Sequence, residues 1–210
     1  NLGLNIMTIE DPIEIRFPGI SQTQVNTKLG LSFAEGLKAI LRQDPDVIMI
    51  GEIRDKETAS VALRASMTGH LVLSTLHTNT SLGAIGRLKD LGIDPYLISS
   101  SLNSVIAQRL LRKYCINCKD SSIKSGSQTS HKIIKFPGCS NCDQTGFQGR
   151  VPIFDYLKID NKLRSKISND EFLNIDLDSK KNLLEIEAEK LVAGNIIPKF
   201  EAVRMSLSSD

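Results

Sequence analysis

Asp44-Pro-Asp-Val-Ile-Met-Ile-Gly-Glu-Ile-Arg-Asp55 is the stretch that decides how this chain folds. Its four apolar residues, Val47 to Ile50, run directly into Gly51 and the carboxylate of Glu52. A short apolar run without polar alternation reads as a strand covered on both faces, the kind found in parallel sheets. A buried strand that ends in an acid is also how nucleotide-hydrolysing α/β domains hold a metal-bound water beside a phosphate chain. The same residues suit a core strand followed by a polar turn, so the neighbouring segments have to decide.

Upstream, Asn5 to Ile9 reads as a strand that ends at the acid pair Glu10-Asp11 and is stopped by Pro12. Pro18-Gly19 marks a turn, and the polar stretch Ser21 to Lys28 is a loop or edge ribbon. Ser32-Phe-Ala-Glu35 is a capping box that opens a helix with Phe33, Leu37, Ile40 and Leu41 along one face. Downstream, Glu57 to Thr68 has helical spacing and Gly69 closes it. Leu71 to Leu73 is a second apolar strand running into Ser-Thr-Leu-His-Thr-Asn79. Helices are expected over Ser81 to Leu91 and Tyr96 to Leu111, and the tail after Val151 is helical in character, with breaks at Gly194 and Pro198. Strands alternating with helices of this length predict βαβ units and a parallel sheet, whose polar strand ends line a crevice.

The composition is that of an ordinary globular chain: 210 residues, 40% hydrophobic, 24% charged, net charge +2. That balance excludes a general polyanion binder, but the charge is uneven. From Gln108 to Arg150, Arg109, Arg112, Lys113, Lys119, Lys124, Lys132, Lys135 and Arg150 stand against Asp120 and Asp143, a local +6. Stacking aromatics are sparse there (Tyr114, Phe136, Phe147), so no nucleic acid is expected as a partner. The basic segment suits anionic lipid headgroups or an acidic partner better. No apolar run approaches the roughly 20 residues that span a bilayer, and no stretch reads as a signal peptide.

The four cysteines form two knuckles, Cys115-Ile-Asn-Cys118 and Cys139-Ser-Asn-Cys142, separated by 20 residues. A two-residue gap lets both thiolates of a knuckle reach one tetrahedral ion, and two knuckles complete a closed structural Zn2+ site. Two disulfides are the competing reading, disfavoured without an export signal. The segment from Tyr114 to about Phe147 is rich in Ser, Lys and Gly and too polar to form a core of its own, which is where a metal staple is needed.

Three strand ends therefore offer polar groups: Glu10 and Asp11; Glu52 with Arg54 and Asp55; and His77 with Thr75, Thr78 and Asn79, with His70 ahead of the third strand. A lone histidine at a strand edge is usually a structural hydrogen-bonder. Two of them next to two acidic strand ends suggest a site for phosphoryl chemistry.

At this point the chain resembles a known family. Thr8-Ile-Glu-Asp-Pro-Ile-Glu14 resembles the aspartate box of the type II/type IV secretion ATPases. Arg42 to Asp55 resembles their Walker B segment, and Thr68-Gly-His-Leu-Val-Leu-Ser-Thr-Leu-His-Thr-Asn79 their histidine box. The resemblance implies an α/β fold: an incomplete RecA-like parallel sheet flanked by helices over 1–112, a small zinc-bound four-cysteine element over 113–149 and a mainly helical subdomain over 150–210. The cysteine knuckles match the extension and secretion branch rather than the retraction branch. By the same resemblance, Glu10 is the general base and Glu52 the carboxylate supporting Mg2+, two roles that could be exchanged. Asp11, His70, His77 and Arg54 bind the nucleotide, His77 with His70 sensing the γ-phosphate. Arg54 and Asp55 form an ion pair fixing the strand end, unless they are a plain surface pair. The family implies ATP and Mg2+ as cofactors and a homo-hexamer that acts on an inner-membrane platform protein. It also implies a cytoplasmic location, peripheral at the inner membrane through partners only. The family's phosphate loop, Gly-x-x-x-x-Gly-Lys-Ser/Thr, does not occur in these 210 residues. The chain is accordingly expected to be the C-terminal part of a longer ATPase and to be inactive alone. The alternative is a catalytically inactive docking module with a structural zinc.

Overall fold

The computed structural model describes residues 3–119, 138–171 and 183–207. Lys124, Lys132, Lys135, Asp120 and Phe136 of the basic segment lie outside them. The chain divides into two compact units, Asn1–Val105 with Leu157–Ile175 and Ile106–Tyr156 with Asp176–Asp210.

The first unit is built on a four-stranded sheet in the order β2-β1-β3-β4, with β1 Ile6–Glu10, β2 Ser21–Gln24, β3 Val47–Ile50 and β4 Leu71–Ser74. All three pairings are parallel, and Ile9 stands opposite Ile50. Each crossover to β3 and β4 runs through a helix, α1 Phe33–Ile40 and then α2 Lys56–Met67. Ser32 caps α1 by accepting from the Glu35 backbone N–H at 3.2 Å, as the capping box requires. Gly69 closes α2 at φ +101, a conformation that excludes most side chains. α1 presses so close to β1 that a Cβ at Gly36 would sit 2.0 Å from Ile9 Cδ1. The helices α3 Gly83–Asp90, α4 Pro95–Ser101 and α5 Asn161–Ser168 complete this unit. Its core joins Ile9, Leu37, Ile48 and Ile50 to Ile85, Ile98 and Ile167. Leu71 and Leu73 are half exposed: they sit at an edge of the described sheet, on the face shared with Val47 and Met49, which is the less buried one.

Two expectations are corrected here. The helix foreseen over Tyr96 to Leu111 ends at Ser101: Leu102 turns extended (φ −76, ψ 124), and β5 Ser104–Tyr114 follows. The buried residues of β5, Ala107 and Leu111, are four apart. That spacing satisfies a strand period of two as well as a helical turn, so the pattern was ambiguous. β-branched Val105 and Ile106 and pairing with β6 decide for the strand. The tail foreseen as helical from Val151 likewise begins as strand, since β6 runs Phe147–Lys158. The later helices, α6 Leu183–Ala193 and α7 Lys199–Leu207, are separated at Gly194 to Pro198 as the sequence suggests.

In the second unit β5 and β6 form a two-stranded sheet. Leu111 and Ile153 pack with Leu184, Ala188, Ile197 and Met205 in a separate core. Glu201 of α7 is fully buried, and its carboxylate is saturated. Oε1 accepts from Arg112 Nε at 3.0 Å and Nη2 at 2.7 Å, and Oε2 from the Arg112 backbone N–H at 3.0 Å and Arg204 Nη2 at 3.1 Å. Burial pushes this carboxyl up, but the Arg112 hydrogen bonds outweigh it and hold the group below its usual value. Glu201→Gln is expected to cost roughly 2 kcal/mol, less than the 3–5 kcal/mol typical of a severed buried pair, because the Arg112 side chain is 42% exposed and can be hydrated. A carboxyl with a lowered folded pKa contributes its stability above the unfolded value of about 4.3, and loses it as pH falls through the folded value. Urea titrations should therefore show the parent losing more stability than Glu201→Gln below about pH 4.3.

Candidate active site and metal centre

Because the strands are parallel, their C-terminal ends share one rim of the sheet. There Glu10, Asp11, Glu14 and Glu52 line a cleft of about 310 Å³ whose other walls include Ile15, Phe17, Phe33 and Met49. Among the described residues no lysine or arginine lines it. Such a surface attracts a divalent cation, which can bring a polyphosphate in with it.

Glu10 is held by one oxygen. Its Oε1 accepts from Thr8 Oγ1 at 2.5 Å and from Gln22 Nε2 at 2.9 Å, while Oε2 has no partner among the described residues. The parallel register places Gln22 beside Thr8. Gln22 also donates to the Ile15 carbonyl at 3.0 Å and accepts from the Phe17 N–H at 2.8 Å, tying the cleft wall to the same strand. The sequence reading did not single out Gln22; strand alternation in Ser21-Gln-Thr-Gln24, once paired with β1, is the signal that finds it.

Glu52 is held by both oxygens. It is only 9% exposed. Arg54 Nη2 lies 2.5 Å from Oε1 and His77 Nε2 3.0 Å from Oε2. Burial raises this carboxyl, and the hydrogen bonds to Arg54 and His77 bring it below its usual value. Arg54 therefore pairs with Glu52 and not with Asp55, contrary to expectation. Asp55 instead caps α2, its Oδ1 accepting from the Thr58 N–H at 2.8 Å and its Oδ2 from Thr58 Oγ1 at 2.9 Å. Hydroxyls stitch the end of β4 to the end of β3: Ser74 Oγ donates to the Ile50 carbonyl and Thr75 Oγ1, just past β4, to that of Gly51. These bonds keep His77, itself largely exposed, within reach of Glu52.

His70 is not brought to this cleft. It precedes β4, at the opposite end of the sheet, with Nδ1 2.9 Å from the Ala65 carbonyl and 3.1 Å from Thr68 Oγ1. That arrangement finishes the C-terminus of α2 and leaves His77 as the histidine at the rim.

The second unit gathers all four cysteines. Cys115 and Cys139 Sγ, Cys118 and Cys142 Sγ, and Cys139 and Cys142 Sγ are each 3.8 Å apart, and the four sulfurs lie within 4.8 Å of one another. A disulfide needs about 2.05 Å, so all four are free thiols. A regular tetrahedron around an ion with bonds of about 2.3 Å has edges of about 3.8 Å, which fits Zn2+. The Cys142 sulfur accepts backbone N–H groups from Cys139 and Gly146, each at 3.2 Å. The Cys139 N–H outweighs burial in bringing the Cys142 thiol down to about 6, whereas burial pushes Cys118 up to about 12. A thiol lowered in this way is a workable first ligand for metal capture.

Comparisons with known proteins bear on the family and the fold. A family model described as "Type II/IV secretion system protein" matches residues 2–203. The chain is 51% identical over 175 residues to type II secretion system protein E of Klebsiella pneumoniae, covering 80% of this chain and 35% of that protein. It is 46% identical over 203 residues to a putative type II secretion system protein E of Escherichia coli K12, covering 92% and 40%. It is also 51% identical over 175 residues to type II secretion system ATPase E of Vibrio cholerae, covering 79% and 35%. The chain thus spans little more than a third of these relatives. Among solved structures, the pilus retraction motor PilT with bound ADP superposes with a TM-score of 0.71 at 31% identity, over 96% of this chain and 52% of that one. The Legionella pneumophila ATPase DotB superposes with a TM-score of 0.67 at 23% identity, over 98% and 52%, a likeness of fold alone. The chain belongs to the type II/IV secretion system protein family.

Proposed function

We propose that this chain supplies the carboxylate side of an ATP-hydrolysis site in a hexameric motor ATPase that drives type II protein secretion. The observation that carries the reading is that Glu10, with one oxygen open to the cleft, and Glu52 meet at the C-terminal ends of adjacent parallel strands. The names of the relatives favour secretion over pilus assembly. In this reading Glu10 is the general base: Thr8 and Gln22 fix its Oε1, and Oε2 takes the proton of the attacking water. Glu52, with Asp11 nearby, supports Mg2+ through water, because Arg54 and His77 occupy both of its oxygens. Bound Mg2+ would neutralise charge on the phosphates. His77 bonds Glu52 from an exposed position, so it can exchange that bond for one to the nucleotide and report its presence to β4. The cysteine cluster holds a structural Zn2+, which would fix the segment after β5. The motor works as a homo-hexamer on an inner-membrane platform protein, cytoplasmic and peripheral. Among the described residues no helix is long and apolar enough to cross a membrane.

Phosphate-release assays test the proposal. The isolated chain is expected to hydrolyse no ATP above background. Joined behind the preceding segment of the Vibrio cholerae relative, which by family resemblance carries the phosphate loop, it is expected to show Mg2+-dependent hydrolysis. Turnover by the isolated chain would sink the proposal, as would a folded, nucleotide-binding joined protein without turnover.

A further inference from the structure

The second unit carries a cleft that neither the hydrolysis site nor the cysteine cluster uses. It has a volume of about 480 Å³ and is lined by Arg112, Phe147, Gly149 and Arg150. Arg112 is fixed in place: Nε and Nη2 are bonded to buried Glu201, and the guanidinium lies over the rings of Phe147 at 4.6 Å and Phe200 at 5.8 Å. Its Nη1 has no partner among the described residues. The Arg150 side chain makes no hydrogen bond or ion pair with any of them either. Gly149, at φ +70, puts no side chain into the space, and a Cβ there would come within 3.5 Å of Lys113 Cε. Glu201 offsets only one of its two arginines, so the cleft and its border keep an excess of positive charge. On the same two strands Ile106, Leu110, Phe154 and Tyr156 are each about half exposed or more. An ordinary sheet face hides such residues or covers them with a partner.

We infer that this cleft docks an acidic polypeptide segment of a partner protein. Its carboxylates pair with the free edge of Arg112 and with Arg150, and its apolar side chains cover Phe147 and the exposed residues of β5 and β6. Planar guanidiniums bind carboxylates through paired N–H donors, and an arginine already immobilised loses little entropy on binding. A protein segment fits better than a bilayer because the two arginines stand on the same two strands as exposed Ile106, Leu110, Phe154 and Tyr156, a mixture of cationic and apolar groups that a segment of interleaved acidic and apolar residues matches.

The zinc-loaded 210-residue chain suffices for the test, with a fluorescein-labelled peptide of alternating Glu and Leu or Phe as probe. Anisotropy should show saturable binding that weakens at least tenfold in Arg150→Glu and with rising salt, and that is absent for the same peptide carrying Lys in place of Glu. The Arg150 side chain has no hydrogen bond or ion pair among the described residues, so the variant should keep the parent melting temperature and zinc content. Absence of saturable binding would overturn the inference, as would a Kd unchanged by Arg150→Glu. So would phosphatidylglycerol-containing vesicles or inorganic phosphate that displace the peptide at equal or lower concentration, since they would mark a lipid or simple anion site.

Discussion

In the joined, active protein, Glu10→Gln is expected to lower kcat by about 10²- to 10⁴-fold, the usual worth of a general base, with nucleotide affinity nearly unchanged. The expectation follows from the unequal bonding of the two acids. Glu10 keeps Oε2 open to the cleft, whereas both Glu52 oxygens are occupied. A glutamine at position 10 keeps the size and the Oε1 contacts but cannot accept a proton. Glu52→Gln should instead raise the Mg2+ concentration needed for half-maximal turnover, because it weakens support for the metal. Gln22→Ala separates positioning from chemistry: it removes one anchor of Glu10, so kcat should fall about tenfold, within the range seen when a supporting contact of a reacting group is lost. Steady-state kinetics over a Mg2+ series checks all three. Should Glu52→Gln abolish turnover without moving the Mg2+ dependence while Glu10→Gln stays within a few-fold of the parent, the roles of the two acids are exchanged.

Much of the site was legible because it depends on short local patterns. The apolar run of Val47 to Ile50 can only be a covered strand, and parallel pairing then sends Glu10 and Glu52 to the same rim. The cysteine spacing alone specified the four-sulfur cluster. What escaped the sequence depends on which element lies beside which. Gln22 is an ordinary polar residue until β2 pairs with β1 and brings it beside Thr8 and Glu10. His70 and His77 look equivalent in sequence, and only strand direction shows that one belongs to the rim and the other to the end of α2. Asp55 was read as the partner of Arg54, although Asp just before a helix with Thr three residues on is a capping signal in its own right. The strand misread as helix at Ser104 to Leu111 shows the limit of periodicity, since a spacing of four serves both structures.

Removing one sulfur should have the largest effect on stability, and Cys142 is the residue to change. It is buried and receives two backbone N–H bonds, which bring its thiol down to about 6. Cys142→Ser leaves three cysteines and a poor oxygen ligand, so bound zinc should fall from one equivalent to nearly none by metal analysis. A structural zinc would contribute roughly 10–16 kcal/mol of apparent binding free energy, which here would also be folding free energy for the cysteine-bearing turns at 115–118 and 139–146. Proteolysis should therefore cut within 115–147 at rates far above the parent, while β1 to β4, with a core of their own, stay protected. The pH response of the parent follows from the same sulfur. A thiol whose folded pKa is lowered contributes stability above its unfolded value of about 8.5 and loses it as pH falls through the folded value. Protons compete with a bound metal for the thiolates, so zinc should leave progressively on acidification. Less than about half an equivalent of zinc in the parent with all four thiols reduced would remove the metal from this account, and the 3.8 Å sulfur spacing would then need another cause.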